Sequence, residues 1–214
     1  MDNVVIIGAT GLVGRNLVDI LSKFKPVKSV FCISRIAPDP MPLGVIHIPF
    51  NSEKYSIPAN IDAAFCALGT TMKKAGSKET FLEVDLKMVT TFAKKAKEAG
   101  INRFAVVSSI GANPKSRNFY LRTKGLMEEE VKKIGFSRLV IVRPSLLLGK
   151  RNEKRLGEDF GKLLYSIFRF FFLGPLTKYR GIQANMVANA MVNLAKYDSG
   201  TVVVESNSLK EYAS

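Results

Sequence analysis

Along the chain, short runs rich in Val, Ile and Phe alternate with longer stretches in which apolar residues recur every three or four positions. The first pattern suits strands buried on both faces and the second suits amphipathic helices, so their alternation predicts a parallel sheet covered by helices. Strands are expected at about 3–7, 27–33, 44–48, 61–67, 102–107, 138–142 and 201–204. Helices are expected at about 12–24, 78–99, 117–134 and 185–196, with Gly100 and Gly135 closing the second and third, because glycine accepts the left-handed backbone of a C-cap. Segment 36–60, with Pro38, Pro40, Pro42 and Pro58, reads as a loop around one short strand. The whole is a doubly wound α/β fold in one domain spanning 1–214, with a small C-terminal elaboration on the substrate side and neither repeats nor an interdomain linker.

Composition adds a core and a question. Of 214 residues 47% are hydrophobic, enough for one sizeable core, while the net charge of +14 attracts anionic partners of some kind. The basic residues are scattered, without paired zinc ligands or an aromatic RNA-binding strand, which argues against nucleic acid. The first residues run into VVIIG with no basic region, apolar signal core or cleavage site, so the expected location is the cytoplasm. Cys32 and Cys66 sit in apolar runs and are expected to be buried thiols, and His47, the one histidine, to be structural.

Candidate chemistry begins where the first strand meets the first helix. The stretch GATGLVG places Gly8, Gly11 and Gly14 three residues apart, with Thr10 to close the turn. A glycine-rich turn of this kind lets backbone approach a pyrophosphate at a helix N-terminus, which predicts dinucleotide binding through residues 8–14, including Leu12 and Val13. At the end of the second strand, where an acidic residue would hold a bare ribose, stand Ser34 and Arg35. A hydroxyl and a guanidinium suit a 2′-phosphate, so NADPH is preferred to NADH. Arg15, a cation in the first turn of a helix, supports this weakly, because it opposes the helix dipole unless a phosphate lies nearby.

The stretch FYLRTKG sets Tyr120 and Lys124 four residues apart, on one helix face. A lysine ammonium beside a phenol stabilises the phenolate, making the pair suited to proton exchange with a carbonyl oxygen. With lysine so abundant, the spacing alone is weak, and its surroundings must carry it.

Those surroundings resemble a family. GATGLVG, CALGTT followed by KKAG, VDLKMV, VVSSIGA, YLRTKG and RPSLLLG occur in the order and at the spacings found in atypical short-chain dehydrogenases/reductases, close to the small NADPH-binding oxidoreductases related to the Tat-interacting protein. The resemblance covers nearly the whole chain. It implies a Rossmann-like fold, NADPH as cofactor, and a small carbonyl substrate reduced by Tyr120 with Lys124, which also reaches the nicotinamide ribose. A serine ending the fifth strand assists, Ser109 by preference with Ser108 as the alternative. The resemblance further implies Leu68 and Gly69 at the adenosine side, Pro144 to Leu147 around the nicotinamide, and Arg155 near the cofactor. Asp85 departs from the pattern, standing where many of these enzymes carry an asparagine of a proton relay. The other function compatible with these features is an NADPH-binding regulator or scaffold with little turnover.

Segment 157–176, GEDFGKLLYSIFRFFFLGPL, is the least family-like and is expected to govern substrate choice through a helix at 163–173. Arg169 breaks its apolar portion, which is too short to span a membrane. Eight lysines and arginines against three acids between residues 146 and 180 make peripheral contact with an anionic membrane surface the rival reading. Oligomeric state is not readable from the sequence.

Overall fold

The first strand of the chain lies inside the sheet, and its alternation sets both layers. In the computed structural model, which describes residues 1–51, 54–149 and 181–213, β1 (Asn3–Ile7) sends Val4 and Ile6 to one face and Val5 and Ile7 to the other, all buried. On the first face α1 (Leu12–Lys23) and α6 (Ala184–Ala195) pack together through Leu17, Leu21, Val187 and Met191. On the second face lie α3 (Lys78–Leu82), a π-helical turn (Glu83–Met88), α4 (Val89–Glu98) and α5 (Phe119–Lys133), packed through Val89, Phe92, Met127 and Val131.

The remaining strands are β2 (Ser29–Ser34), β3 (Val45–Pro49), β4 (Ala63–Cys66), β5 (Arg103–Val107), β6 (Arg138–Arg143) and, after a short pair to be described, β9 (Gly200–Glu205). All pair in parallel in the order β3-β2-β1-β4-β5-β6-β9, with Val4 opposite Val30 on one side and Ala63 on the other. Chain order reverses at β1, between β2 and β4, the position at which open α/β sheets bind ligands beyond the strand ends. The predicted doubly wound fold is therefore observed, each strand and helix predicted among the described residues lying within about two residues of its expected bounds. Gly100 and Gly135 have φ of 82° and 75° just past α4 and α5, the left-handed geometry expected of a helix end.

Three features go beyond the sequence reading. A one-turn helix α2 (Met72–Ala75) follows β4. Strands β7 (Leu147–Leu148) and β8 (Ile182–Gln183) pair in parallel, Leu147 opposite Ile182, and so bring together the two sides of the C-terminal elaboration. The expected helix at 163–173, Arg155 and the whole of segment 157–176 lie outside the described residues. The third feature is the π-helical turn, which interrupts an otherwise α-helical run, and π-turns of this kind often occur at functional sites.

Candidate functional site

A cavity of about 280 Å³ opens beyond the carboxyl ends of β1, β4 and β5. Its first wall is the turn after β1. Gly8 has φ of 81°, and a Cβ there would come within 2.6 Å of the Ala67 carbonyl carbon, so the turn is packed directly against the chain leaving β4. A Cβ on Gly14 would stand 2.0 Å from the Gly8 carbonyl oxygen, which fixes α1 tightly on the turn. Gly8 and Gly14 shape the turn, and Thr10, Gly11, Leu12, Val13 and Arg15 face the cavity. Gly11 starts α1 without a capping side chain, and no acid lies in the first turn. The helix therefore presents unpaired N–H groups and the positive end of its dipole, a donor set that fits a dinucleotide pyrophosphate. Gly14→Ala is expected to cost about 1–3 kcal/mol or more through overpacking. Thermal unfolding with and without NADPH checks it, the variant melting lower and gaining less from the cofactor.

The second wall follows β4. Leu68 and Gly69 line it as expected, joined by Thr70, Thr71 and Lys74. Sequence reasoning assigned no role to those three, although all lie within the CALGTT and KKAG stretches. Thr71 caps α2 by accepting from the Lys74 N–H at 3.2 Å.

The third wall carries Tyr120, Lys124 and Asp85. The inward stripe of helices α3 and α4 reads Phe81, Asp85, Val89, Phe92, and its one acid is fully buried. Asp85 Oδ1 lies 2.7 Å from Lys124 Nζ, while Oδ2 accepts the Thr70 N–H at 2.8 Å. The first contact is a charge pair more than a directed hydrogen bond. Burial by itself pulls the Lys124 ammonium down, but the facing Asp85 carboxylate, with Tyr120 and Cys66 adding to it, holds it above the ordinary lysine range. Lys124 is thus kept charged, with ammonium donors to spare for the cavity. Where the resemblance implies an asparagine, Asp85 supplies a counter-ion, an arrangement its identity alone did not reveal. Tyr120 is half-buried one helical turn before Lys124, its ring 5.5 Å from that of Phe81, which braces it. Beside the pair, a Cβ on Gly125 would stand 2.2 Å from the Pro114 nitrogen, so α5 lies with its backbone directly on the loop that follows β5.

Of the two serines ending β5, Ser108 lines the cavity and Ser109 does not. Ser108 Oγ donates to Glu128 Oε1 at 2.5 Å, whereas Ser109 Oγ donates to the Ile110 carbonyl at 3.3 Å. The preference for Ser109 rested on its lying one position deeper in the loop, but the strand's alternation turns Ser108 toward α5 and the cavity.

Other predicted positions lie away from it. Ser34 is buried at the end of β2, and its hydroxyl donates to the Ile36 carbonyl at 2.7 Å. Arg35 is exposed beside it, and neither lines the cavity. Leu147 does, whereas Pro144 does not and instead accepts the Ile110 N–H through its carbonyl. Cys32 and Cys66 are buried, and burial pushes both thiols up to about 12. His47 lies on β3 with Nε2 2.9 Å from the Ser34 carbonyl, an ordinary structural contact.

Comparisons with known proteins agree with this fold. The profile of the NAD(P)H-binding family matches residues 51–163. Protein FMP52, mitochondrial, of Candida albicans is 34% identical over 200 residues, covering 89% of this chain and 86% of its own. Among solved structures, MoeE5 in complex with UDP-glucose and NAD superposes with a TM-score of 0.69 at 18% identity, covering 97% of this chain and 79% of that one. The oxidoreductase ylbE from Lactococcus lactis gives 0.66 at 17% identity, covering 99% and 94%. The expected resemblance to atypical short-chain dehydrogenases/reductases is borne out, and likeness at these identities speaks for the fold. The expected cytoplasmic location is not: FMP52 and further similar fungal proteins are named mitochondrial. The expectation rested on the pattern of the first residues, which does not tell one compartment from another.

Proposed function

The chain belongs to the NAD(P)H-binding family, and from that premise we propose that it is a mitochondrial NADPH-dependent oxidoreductase that reduces a small carbonyl compound. The observation that carries the reading is Lys124, charged and anchored by buried Asp85, in the same cavity wall as Tyr120 and across from the open N-terminus of α1. Thr10, Gly11, Leu12 and Val13 would hold the cofactor's pyrophosphate, and Leu68 and Gly69 its adenosine side. When bound, the cofactor supplies the reducing equivalents. Lys124, its charge within reach of Tyr120, offers a donor to the ribose. The Tyr120 hydroxyl donates a hydrogen bond to the carbonyl oxygen, then passes it the proton as negative charge develops there. Phe81 behind the ring keeps the hydroxyl in place, which is the part of catalysis that positioning supplies.

Incubating the protein with NADPH and a panel of aldehydes, ketones and quinones, followed by NADPH absorbance, tests the proposal. Turnover with any of them supports it. Tight NADPH binding with no turnover across the panel would instead make the chain a cofactor-binding regulator.

The preference for NADPH over NADH rests on Arg35, exposed at the carboxyl end of β2 next to the strand that bears the glycine turn. Arg35→Asp should weaken NADPH binding by about tenfold or more, through loss of a charge-assisted contact and added repulsion, and leave NADH binding nearly unchanged. Calorimetric titration of both cofactors measures this, and equal affinities in the parent protein would remove the basis for the preference.

A further inference from the structure

Behind the cavity lies a buried polar chain that the mechanism above does not use. Glu128, 2% exposed, follows Lys124 by four residues and Tyr120 by eight, so one face of α5 carries all three. Its Oε1 accepts from Arg143 Nε at 2.9 Å and from Ser108 Oγ at 2.5 Å, and its Oε2 accepts from Arg143 Nη2 at 2.6 Å. Arg143 ends β6 and also approaches Glu205 on β9 at 3.6 Å. Its hydrogen bonds to Glu128 hold the guanidinium above its ordinary range.

The donor and acceptor inventory then settles the direction of each bond. A guanidinium only donates, and in forked contact with a carboxylate it leaves that carboxylate only accepting. A serine hydroxyl has a single proton, and at Ser108 it is committed to Glu128. What Ser108 turns to the cavity is therefore a pair of oxygen lone pairs. A substrate carbonyl oxygen is itself an acceptor and has nothing to offer them.

We infer that Ser108 serves the cavity as a hydrogen-bond acceptor, held in that role by Glu128 and Arg143, and that it recognises an N–H or O–H group of the bound ligand. This rests on the reading of the cavity as a nicotinamide cofactor site. It leaves the carbonyl oxygen to Tyr120 alone and makes Glu128 and Arg143 positioning residues. Two groups have the required chemistry: the carboxamide NH₂ of the nicotinamide ring and a hydroxyl on the substrate.

The test is a ratio of affinities, which a structural role would not move. Calorimetry compares NADP with its 3-acetylpyridine analogue, in which a methyl group replaces the amide NH₂, on the full chain. With NADP saturating, cyclohexanol is then compared with cyclohexanone. If the carboxamide is the partner, the parent should favour NADP by about fivefold to tenfold, the effect of one hydrogen bond, and Ser108→Ala should bring the ratio to about one. If a substrate hydroxyl is the partner, the dinucleotides bind alike, and it is the preference for cyclohexanol that Ser108→Ala removes. Glu128→Gln should narrow the same ratio, because an amide beside Ser108 lets the serine proton turn to the cavity. Should Ser108→Ala fail to fold, Ser108→Cys, with sulfur a poor acceptor, serves in its place. No preference within either pair, or one that survives loss of the Ser108 oxygen, overturns the inference, and a ratio unmoved in Glu128→Gln overturns the part given to Glu128. Failure to bind NADP at all would instead sink the cofactor reading.

Discussion

Asp85→Ala is expected to destabilise the folded protein by about 3–5 kcal/mol, because it strands the Lys124 ammonium in a site where side-chain exposure is only 4%. It also leaves the Thr70 N–H without the acceptor it has at 2.8 Å. Asp85→Asn should cost less, since an amide oxygen can still take that N–H. The pair also sets a pH dependence. Folding raises the Lys124 value above its ordinary 10.5, so the stabilisation is complete below that value and is lost as pH climbs through the raised one. Urea unfolding as a function of pH should therefore show the parent losing stability on the alkaline side of 10.5, with that part of the loss absent in Asp85→Ala. A variant as stable as the parent at neutral pH would mean that Lys124 has another counter-charge.

Tyr120→Phe should lower turnover by about 10²–10⁴-fold, the usual contribution of a positioned general acid, while NADPH affinity and melting temperature stay nearly the same. The substitution removes one oxygen and keeps the ring that packs on Phe81. Lys124→Met should behave differently, losing cofactor affinity together with turnover and leaving buried Asp85 unpaired. The comparison is made with whichever carbonyl compound the parent reduces, following kcat and KM separately. Full activity in Tyr120→Phe would remove the phenol from the chemistry and leave Lys124 as the structural partner of Asp85.

Much of this architecture was legible because period and position coincide. The VVII run fills both layers from one strand, and three glycines at a strand-to-helix junction mark a turn whose close approaches admit no side chain at positions 8 and 14. Tyr120 and Lys124 were legible as a pair because a helix of known phase carries them. What was hidden depends on contacts between distant segments. The π-helical turn leaves no mark on the hydrophobic rhythm of residues 78–98, so the aim of Asp85 at Lys124 could not be read. Which of Ser108 and Ser109 meets the cavity depends on the face the strand presents as it ends, and Glu128 and Arg143, which hold Ser108, lie 20 to 35 residues further on. Thr70, Thr71 and Lys74 stood inside quoted motifs, but nothing in their spacing says that the chain leaving β4 folds back over the end of α1.

The place of β1 bears on how the chain reaches this state. Its first partner, β2, is available once residues near 30 exist, but its second, β4, pairs Val4 with Ala63, and β5, β6 and β9 extend the sheet only in turn. Most of the sheet's hydrogen bonds thus close long stretches of chain before any reward is collected, the condition that slows folding. During synthesis the apolar β1 waits with one edge open until residues near 63 exist, and such an edge pairs readily with other chains. The order of strands that builds the cavity is also the order that exposes the nascent protein to aggregation.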